Sequence, residues 1–220
     1  MKKLVLLIGI LAAGFLQAQA QQISGGIKAG LNVSGWDGDV GQVLGDMLGE
    51  ASILPGTIKQ GYHVGGFLSI PMGQHFILEP GLYYSTKGIE ASYTYEANNF
   101  LKVKATVTDD AHYIDLPLLA KVRLGNGFQL YAGPQLSYLV ANKIRGEAGI
   151  MGFSYEQEIN WDSGFRKLDF GLTGGLGYQF ANGVQLSAGY DHGLSSLDAG
   201  KSNIDVYNRV AKFSVGYTFR

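Results

Sequence analysis

The chain's imidazoles are His63, His75, His112 and His192, and no two of them stand at the separations that metal-binding pairs use on a strand or a helix. A hydrolytic reading would join His112 or His192 to Asp191 and Ser195, an acid, imidazole and hydroxyl set of the kind that acyl-transfer enzymes use. Asp191 and His192 are adjacent, so a strand sends their side chains to opposite faces, which argues against that set. Cysteine is absent, which removes disulfides, thiolate catalysis and Cys-ligated metals. The expectation is a protein with no catalytic residues, no cofactor and no metal. A second group of residues has a more regular setting. Lys28, Glu79, Asp115, Lys121, Arg123, Asp169 and Lys212 each stand alone between two apolar neighbours. Charges of mixed sign that share one face of a narrow interior pair with each other across it. The expected chemistry of this group is therefore ion pairing, with a narrow ion path as the alternative.

The elements that must carry these charges have a period of two. Val184, Leu186, Ala188 and Tyr190 alternate with Gln185, Ser187 and Gly189, and Phe213, Val215, Tyr217 and Phe219 alternate with Lys212, Ser214, Gly216 and Thr218. The same alternation runs through 23–33, 62–70, 76–84, 114–124, 128–140 and 168–180. That makes eight strands. Three connections are short and rich in Gly and Asn: 71–74, 125–127 and 181–183. The others, about 34–61, 85–113, 141–167 and 191–211, are long, and short and long alternate strictly. An up-and-down antiparallel barrel with one trimmed rim and one elaborated rim has this pattern, and outer-membrane barrels have that asymmetry.

Charge placement decides between a membrane barrel and a soluble one. The apolar parity of the eight spans carries no Asp, Glu, Lys or Arg, whereas the opposite parity carries the seven charges named above. An apolar exterior with a polar interior is the transmembrane arrangement. Aromatic placement agrees. Phe76, Phe128, Phe180 and Phe219 fall at the short-turn ends, and Tyr62, Tyr84, Tyr138 and Tyr190 at the long-loop ends. Strands of that length, tilted by roughly 40°, separate the two sets by about 20–25 Å, the height of the apolar band between interfacial aromatic girdles. Outer-membrane lipid is thus one expected partner. The aromatic strand at 213–219 resembles the terminal signal read by outer-membrane assembly machinery, a second partner, although Arg220 follows its last Phe.

Composition fits this reading. Glycine makes up 33 of 220 residues, about twice the ordinary share of roughly 7%. Many of these glycines fall on the inward parity, where a narrow barrel has little room. Mean hydropathy is +0.06 because apolar and polar residues interleave. The formal net charge of −1 gives no electrostatic case for nucleic acid. Residues 1–20 read as a cleaved signal peptide: Lys2 and Lys3, then apolar 4–16, then Ala18-Gln19-Ala20. The barrel domain is then 21–220, with both termini expected in the periplasm.

Several stretches resemble the PorT-type outer-membrane β-barrel domain found widely in Bacteroidota. They are Gly26-Ile27-Lys28-Ala29-Gly30-Leu31-Asn32, Gly65-Gly66-Phe67, the run from Phe76 to Gly88, the run from Tyr113 to Lys121, and Tyr131-Ala132-Gly133-Pro134. The resemblance covers nearly the whole chain after residue 20. It implies an eight-stranded barrel in the outer membrane and supplies no functional residues.

The long loops are the expected seat of function. Ile89, Ala91, Tyr93 and Tyr95, then Leu101, Val103, Ala105 and Val107, continue the alternation beyond the barrel, with 96–99 as a turn. Residues 151–161 suggest a similar extension, and Val43-Leu44 with Met47-Leu48 suggest a helical turn in 34–61. Loops 34–61, 85–113 and 141–167 either bind an extracellular or envelope protein or pack only on each other. The expected role is structural or adhesive and non-enzymatic. A narrow pore for ions or small solutes is the alternative, and a lipid-modifying enzyme is a third.

Overall fold

The computed structural model describes residues 23–38, 58–98, 101–150, 153–160, 166–197 and 206–219. The expected signal peptide and the helical turn expected in 34–61 lie outside them.

Among the described residues nine strands form one antiparallel sheet: β1 (Ser24–Gly38), β2 (Lys59–Pro71), β3 (Phe76–Asn98), β4 (Leu101–Leu124), β5 (Phe128–Ile150), β6 (Phe153–Asn160), β7 (Leu168–Gln179), β8 (Val184–Gly193) and β9 (Val206–Thr218). Eight of them close into a barrel in the order β1-β2-β3-β4-β5-β7-β8-β9, and β9 pairs back onto β1. The eight expected spans are all present. Five of them (β1, β3, β4, β5 and β9) run well beyond the expected ends, because strand pairing continues through the expected loops. Asn98 pairs with Leu101, so β3 and β4 form one long hairpin, and β3 runs through most of the turn expected at 96–99. Among the described residues β6 pairs only with β5, above the level at which β5 pairs with β7.

The short turns use glycine for its backbone freedom. Gly73, Gly125, Gly127 and Gly183 all have positive φ, which a residue with a Cβ adopts at a cost.

A belt of exposed apolar side chains surrounds the barrel. Leu31 is 65% exposed, Leu82 56%, Phe128 59% and Leu176 55%. A continuous apolar belt of this kind far exceeds the few-hundred-Å² patches that soluble monomers expose, and lipid is its matching solvent. Tyr62, Tyr138 and Tyr190 stand exposed at the long-loop edge of the belt, with Tyr84 packed 6.2 Å from Tyr62. Phe76, Phe128, Phe180 and Phe219 stand exposed at the opposite edge. The expected segregation of Phe from Tyr is not kept there. Tyr178 lies 5.0 Å from Phe128 and 4.8 Å from Phe180, and Tyr217 lies 5.7 Å from Phe219. Either ring suits an interface, so the short-turn girdle is mixed.

Above the tyrosine edge, β3, β4, β5 and β6 continue as a four-stranded wall. β3 ends fourteen residues past Tyr84, so the wall extends on the order of 40 Å along its strands at about 3.3 Å per residue. β1 and β9 rise together to a lesser height, ending at Gly38 opposite Val206.

Candidate functional site

The barrel interior holds two clusters of ion pairs. In the cluster nearer the short turns, Lys28 of β1 donates to Glu79 of β3 at 3.1 Å, and Lys121 of β4 pairs with the other carboxylate oxygen. Both ammonium groups lie over the Phe67 ring, at 5.0 and 5.8 Å from its centroid, and Lys121 also faces Tyr131 at 5.8 Å. Lys28 also faces Tyr83 at 5.9 Å, so a single carboxylate and three aromatic faces hold two cations.

The second cluster centres on Asp115 of β4. It accepts from Ser85 at 2.6 Å, from Lys87 at 2.8 Å and from Ser137 at 2.5 Å. Lys212 of β9, on the far side of the barrel, lies 3.9 Å from Asp115 and 2.5 Å from Asp191 of β8. Gln135 of β5 donates to Asp191 at 3.1 Å and accepts from Lys212 at 3.3 Å. These contacts bridge opposite staves, so they span the lumen. Between the clusters lies a cavity of about 40 Å³, bordered by Lys28, His63, Tyr83, Tyr131, Gln135 and Lys212. That is room for a few waters.

The expected charges therefore separate into two groups. Lys28, Glu79 and Lys121 meet in the first cluster, and Asp115 and Lys212 in the second. Asp169 joins neither ion pair; its carboxylate accepts from Asn208 at 2.8 Å. Arg123 lies at the short-turn mouth, half-buried and outside both clusters. Lys87 and Asp191 complete the second cluster from beyond the expected ends of β3 and β8. The available signal was Ser85 and Lys87 continuing the inward parity of Glu79.

The histidines and the imagined hydrolytic set are not assembled. His63 is buried between Asn32 at 2.7 Å and the Ser214 hydroxyl at 2.9 Å. His112 bonds the Tyr84 hydroxyl at 2.6 Å. His192 is on the outer surface while Asp191 is inside, and the Ser195 hydroxyl accepts from the Phe170 N–H. His75 is exposed at a short turn. Among the described residues no group of three His, Asp or Glu side chains is placed to hold a metal ion.

Inward glycines make room for rings, which the sequence did not reveal. A Cβ on Gly189 would stand 2.3 Å from the Tyr131 hydroxyl, and one on Gly26 would stand 2.2 Å from the Phe67 ring. Phe67 and Tyr83 are inside the barrel, at 4% and 7% exposure.

Above the clusters the inward parity becomes more apolar: Ile89, Ala111, Tyr113, Val206 and Val210 are buried there beside the polar Lys59, Asp109 and Asn208, with Leu197 next to Val206, whose carbonyl accepts its N–H. The wall continues the change. Its register aligns Tyr93, Ala105, Ala148 and Tyr155 in one cross-strand row, and Tyr95, Val103, Ile150 and Phe153 in the next. These rows share the parity that faces the lumen lower down. The opposite parity aligns Glu90, Thr108, Arg145 and Glu158, then Ser92, Thr106, Glu147 and Glu156. A register shift places one extra residue in β5: Tyr113 pairs with Leu139 and His112 with Ala141, so Val140 is unpaired. This β-bulge exchanges the faces of β5. Without it Lys143 and Arg145 would point inward and Ile144 outward. At the foot of the wall Lys59 donates to the Asp109 carbonyl at 2.7 Å and pairs with the Asp110 carboxylate. Burial pushes the Asp109 carboxyl up to about 7, although the Lys59 ammonium pulls it down.

Comparison with solved structures returns small outer-membrane barrels. Ail, the attachment invasion locus protein of Yersinia pestis, is 13% identical and covers 90% of this chain and 100% of its own, with a TM-score of 0.41. Neisserial surface protein A is 13% identical over the same shares, with a TM-score of 0.43. The N-terminal β-barrel domain of Pseudomonas aeruginosa OprF is 13% identical, again over 90% and 100%, with a TM-score of 0.34. Among curated proteins, none matches the chain. The outer membrane protein beta-barrel domain family matches residues 17–199, most of the sequence and all of the barrel up to β9. With a closed antiparallel barrel, an apolar belt and a charged lumen, the chain belongs to this family of outer-membrane β-barrel proteins.

Proposed function

We propose that this protein acts through the surface of its protruding wall, as a structural or adhesive component of the cell envelope, and that its barrel neither conducts nor catalyses. The observation that carries this reading is the filling of the lumen. Contacts among Lys28, Glu79, Lys121, Asp115, Lys212 and Asp191 cross the barrel, and buried Ile89, Ala111, Tyr113, Val206 and Val210 lie above them. Eight staves leave an interior that side chains can fill, and these contacts support that reading. In this reading residues 1–20 are a removed signal peptide, both termini are periplasmic, and the wall is extracellular. Tyr62, Tyr84, Tyr138 and Tyr190 lie at the outer lipid interface, and Phe76, Phe128, Phe180 and Phe219 at the inner one. The polar outward face of the wall is the surface offered to a protein partner. The resemblance to PorT-type barrels belongs with this proposal.

The test is to replace residues 89–108 by a two-residue Asn-Gly turn and to display both forms on cells. The shortened form should still show heat-modifiable gel migration, as a closed barrel does, and should lose surface adhesion. Adhesion retained by the shortened form would sink the proposal. Planar-bilayer recording of the full chain should show no steady conductance, and a steady open level would favour a pore.

A further inference from the structure

The two ion-pair clusters differ in charge balance. In the second, Lys87 and Lys212 face Asp115 and Asp191, two cations on two carboxylates. In the first, Lys28 and Lys121 share the one carboxylate of Glu79. The Phe67, Tyr83 and Tyr131 rings attract these cations through their faces but carry no charge. One positive charge is left over, and Lys28, Lys121 and Glu79 are all buried. An uncompensated charge in such an interior is costly, and an anion beside it offsets the cost.

The cavity between the clusters has the lining that an anion needs. Lys28 borders it from the first cluster and Lys212 from the second, and among the described residues no carboxylate lines it. Tyr83 lines it too, and its buried hydroxyl has no hydrogen-bond partner among the described residues. A phenol O–H is a donor, and the Lys28 ammonium, which gives one N–H to Glu79, has others to give. His63 borders the cavity without adding charge. The Asn32 amide donates to the Tyr62 and Thr86 carbonyls, so its oxygen accepts from His63 Nδ1–H, and His63 Nε2 accepts from the Ser214 hydroxyl. That network is complete with a neutral imidazole. Asp169 stands four residues along β7 from Thr173, which lines the cavity, so it is about 13 Å away along the strand and does not reach the charge left over.

Size and charge narrow the class of anion. The cavity holds about 40 Å³, against the roughly 10–15 Å³ that one water needs, so it admits a halide ion together with a water. One negative charge matches one excess cation, whereas a divalent oxyanion would overshoot it.

We propose that the cavity bordered by Lys28, Tyr83 and Lys212 binds one small monovalent anion of the halide class, which completes the charge balance of the lumen. The anion is a structural ligand inside a closed barrel. The proposal goes beyond the adhesive role and does not depend on it.

The test uses the full chain refolded in detergent with sodium chloride, sodium bromide or sodium gluconate at equal ionic strength. Gluconate is too bulky for the cavity. The urea midpoint should be higher in chloride and bromide than in gluconate, and the gain should saturate with concentration, as a bound ligand requires. Lys28→Met leaves Lys121 and Glu79 as a balanced pair and should abolish the difference between salts. Tyr83→Phe keeps the ring, removes the hydroxyl and should weaken the apparent chloride affinity several-fold with heat-modifiable migration unchanged, so it carries the test if Lys28→Met does not fold. Crystals grown in bromide should show an anomalous peak between Lys28 and Tyr83. Equal midpoints of the parent in all three salts would overturn the proposal, because the cavity would then hold water alone. So would the same salt dependence in the parent and in the variants that fold, which is a general salt effect, or bromide peaks confined to the outside of the barrel.

Discussion

Below the tyrosine edge the sheet keeps its charges inside and its apolar residues out: Glu79, Asp115 and Lys121 are buried, and Leu31, Leu82 and Leu176 are exposed. In the wall the same strands reverse this. Glu90, Arg145 and Glu158 share the outward parity, and Tyr93, Ala105 and Ala148 share the inward one. The backbone is antiparallel sheet throughout, so the difference comes from the solvent on the outer side. Lipid cannot satisfy a charge, so in the belt every charge goes inside and must find a partner there. Water accepts charge, so above the belt the apolar residues go inside, as in any soluble sheet. β3 and β4 make the change by residue type alone while keeping parity. β5 makes it by geometry, with the bulge at Val140.

The largest effect should come from breaking the lower region's rule. Asp115→Ala leaves Lys87, 2% exposed, without its carboxylate partner. Removing one member of a buried ion pair costs about 3–5 kcal/mol. Urea unfolding of the barrel refolded in lipid or detergent should show that loss, and a midpoint unchanged from the parent would mean that the cluster does not hold the lumen together.

The next effect compares the outer surfaces directly. Leu176→Arg places a charge in the apolar belt and should cost roughly 2–4 kcal/mol. Thr108→Arg places the same charge on the outward parity of the wall, opposite Glu90, and should stay within about 0.5 kcal/mol. Equal costs at the two positions would show that the belt and the wall face the same solvent.

Much of the belt was legible in the sequence because lipid imposes a strict rule. Alternation with no charge on one parity gave the barrel, its eight staves and the inward set Lys28, Glu79, Asp115 and Lys121. Three things were hidden. Partner choice was one, since parity says that Asp115 points inward but not that Lys212 reaches it from the opposite stave. A second was the inward placement of Phe67, Tyr83 and Tyr131, because a ring among glycines reads as an exception until Gly26 and Gly189 are seen to lie against those rings. The third was the bulge, because one extra residue at Val140 leaves no mark except that Lys143 and Arg145 fall on the parity of Gln135 and Ser137.

The exchange of faces can be undone to break the comparison at one strand. Inserting one alanine between Ala141 and Asn142 would, in continuous pairing, shift the alternation by one residue and send Lys143 and Arg145 to the apolar face, with Ile144 on the polar one. The barrel below pairs β5 through Phe128–Tyr138 and is untouched. The insertion should therefore leave heat-modifiable migration intact and should raise proteolysis and hydrogen exchange in 141–160. Loss of the barrel itself would mean that wall and barrel fold as one unit.

The smallest effect concerns the boundary, at Asp109. Its carboxyl lies on the inward parity just above the clusters, buried at the foot of the wall, and burial raises it to about 7. The unfolded group titrates near 3.8. A carboxyl raised in this way adds most to stability below about pH 4, while it is neutral in both states. That contribution falls as pH rises from there and is lost once pH passes about 7, where the folded group must ionise against its burial. The wall should accordingly open more readily at pH 8 than at pH 5.5. Hydrogen exchange in 86–112, corrected for the intrinsic pH dependence of amide exchange, would show it as lower protection at the higher pH. Asp109→Asn keeps the shape and removes the titration, so its protection should be nearly flat across the same range. A parent protein already flat from pH 5.5 to 8 would mean that water reaches the foot of the wall. The polarity would then reverse higher up, at the row of Ala91 and Val107, rather than at Ile89 and Asp109.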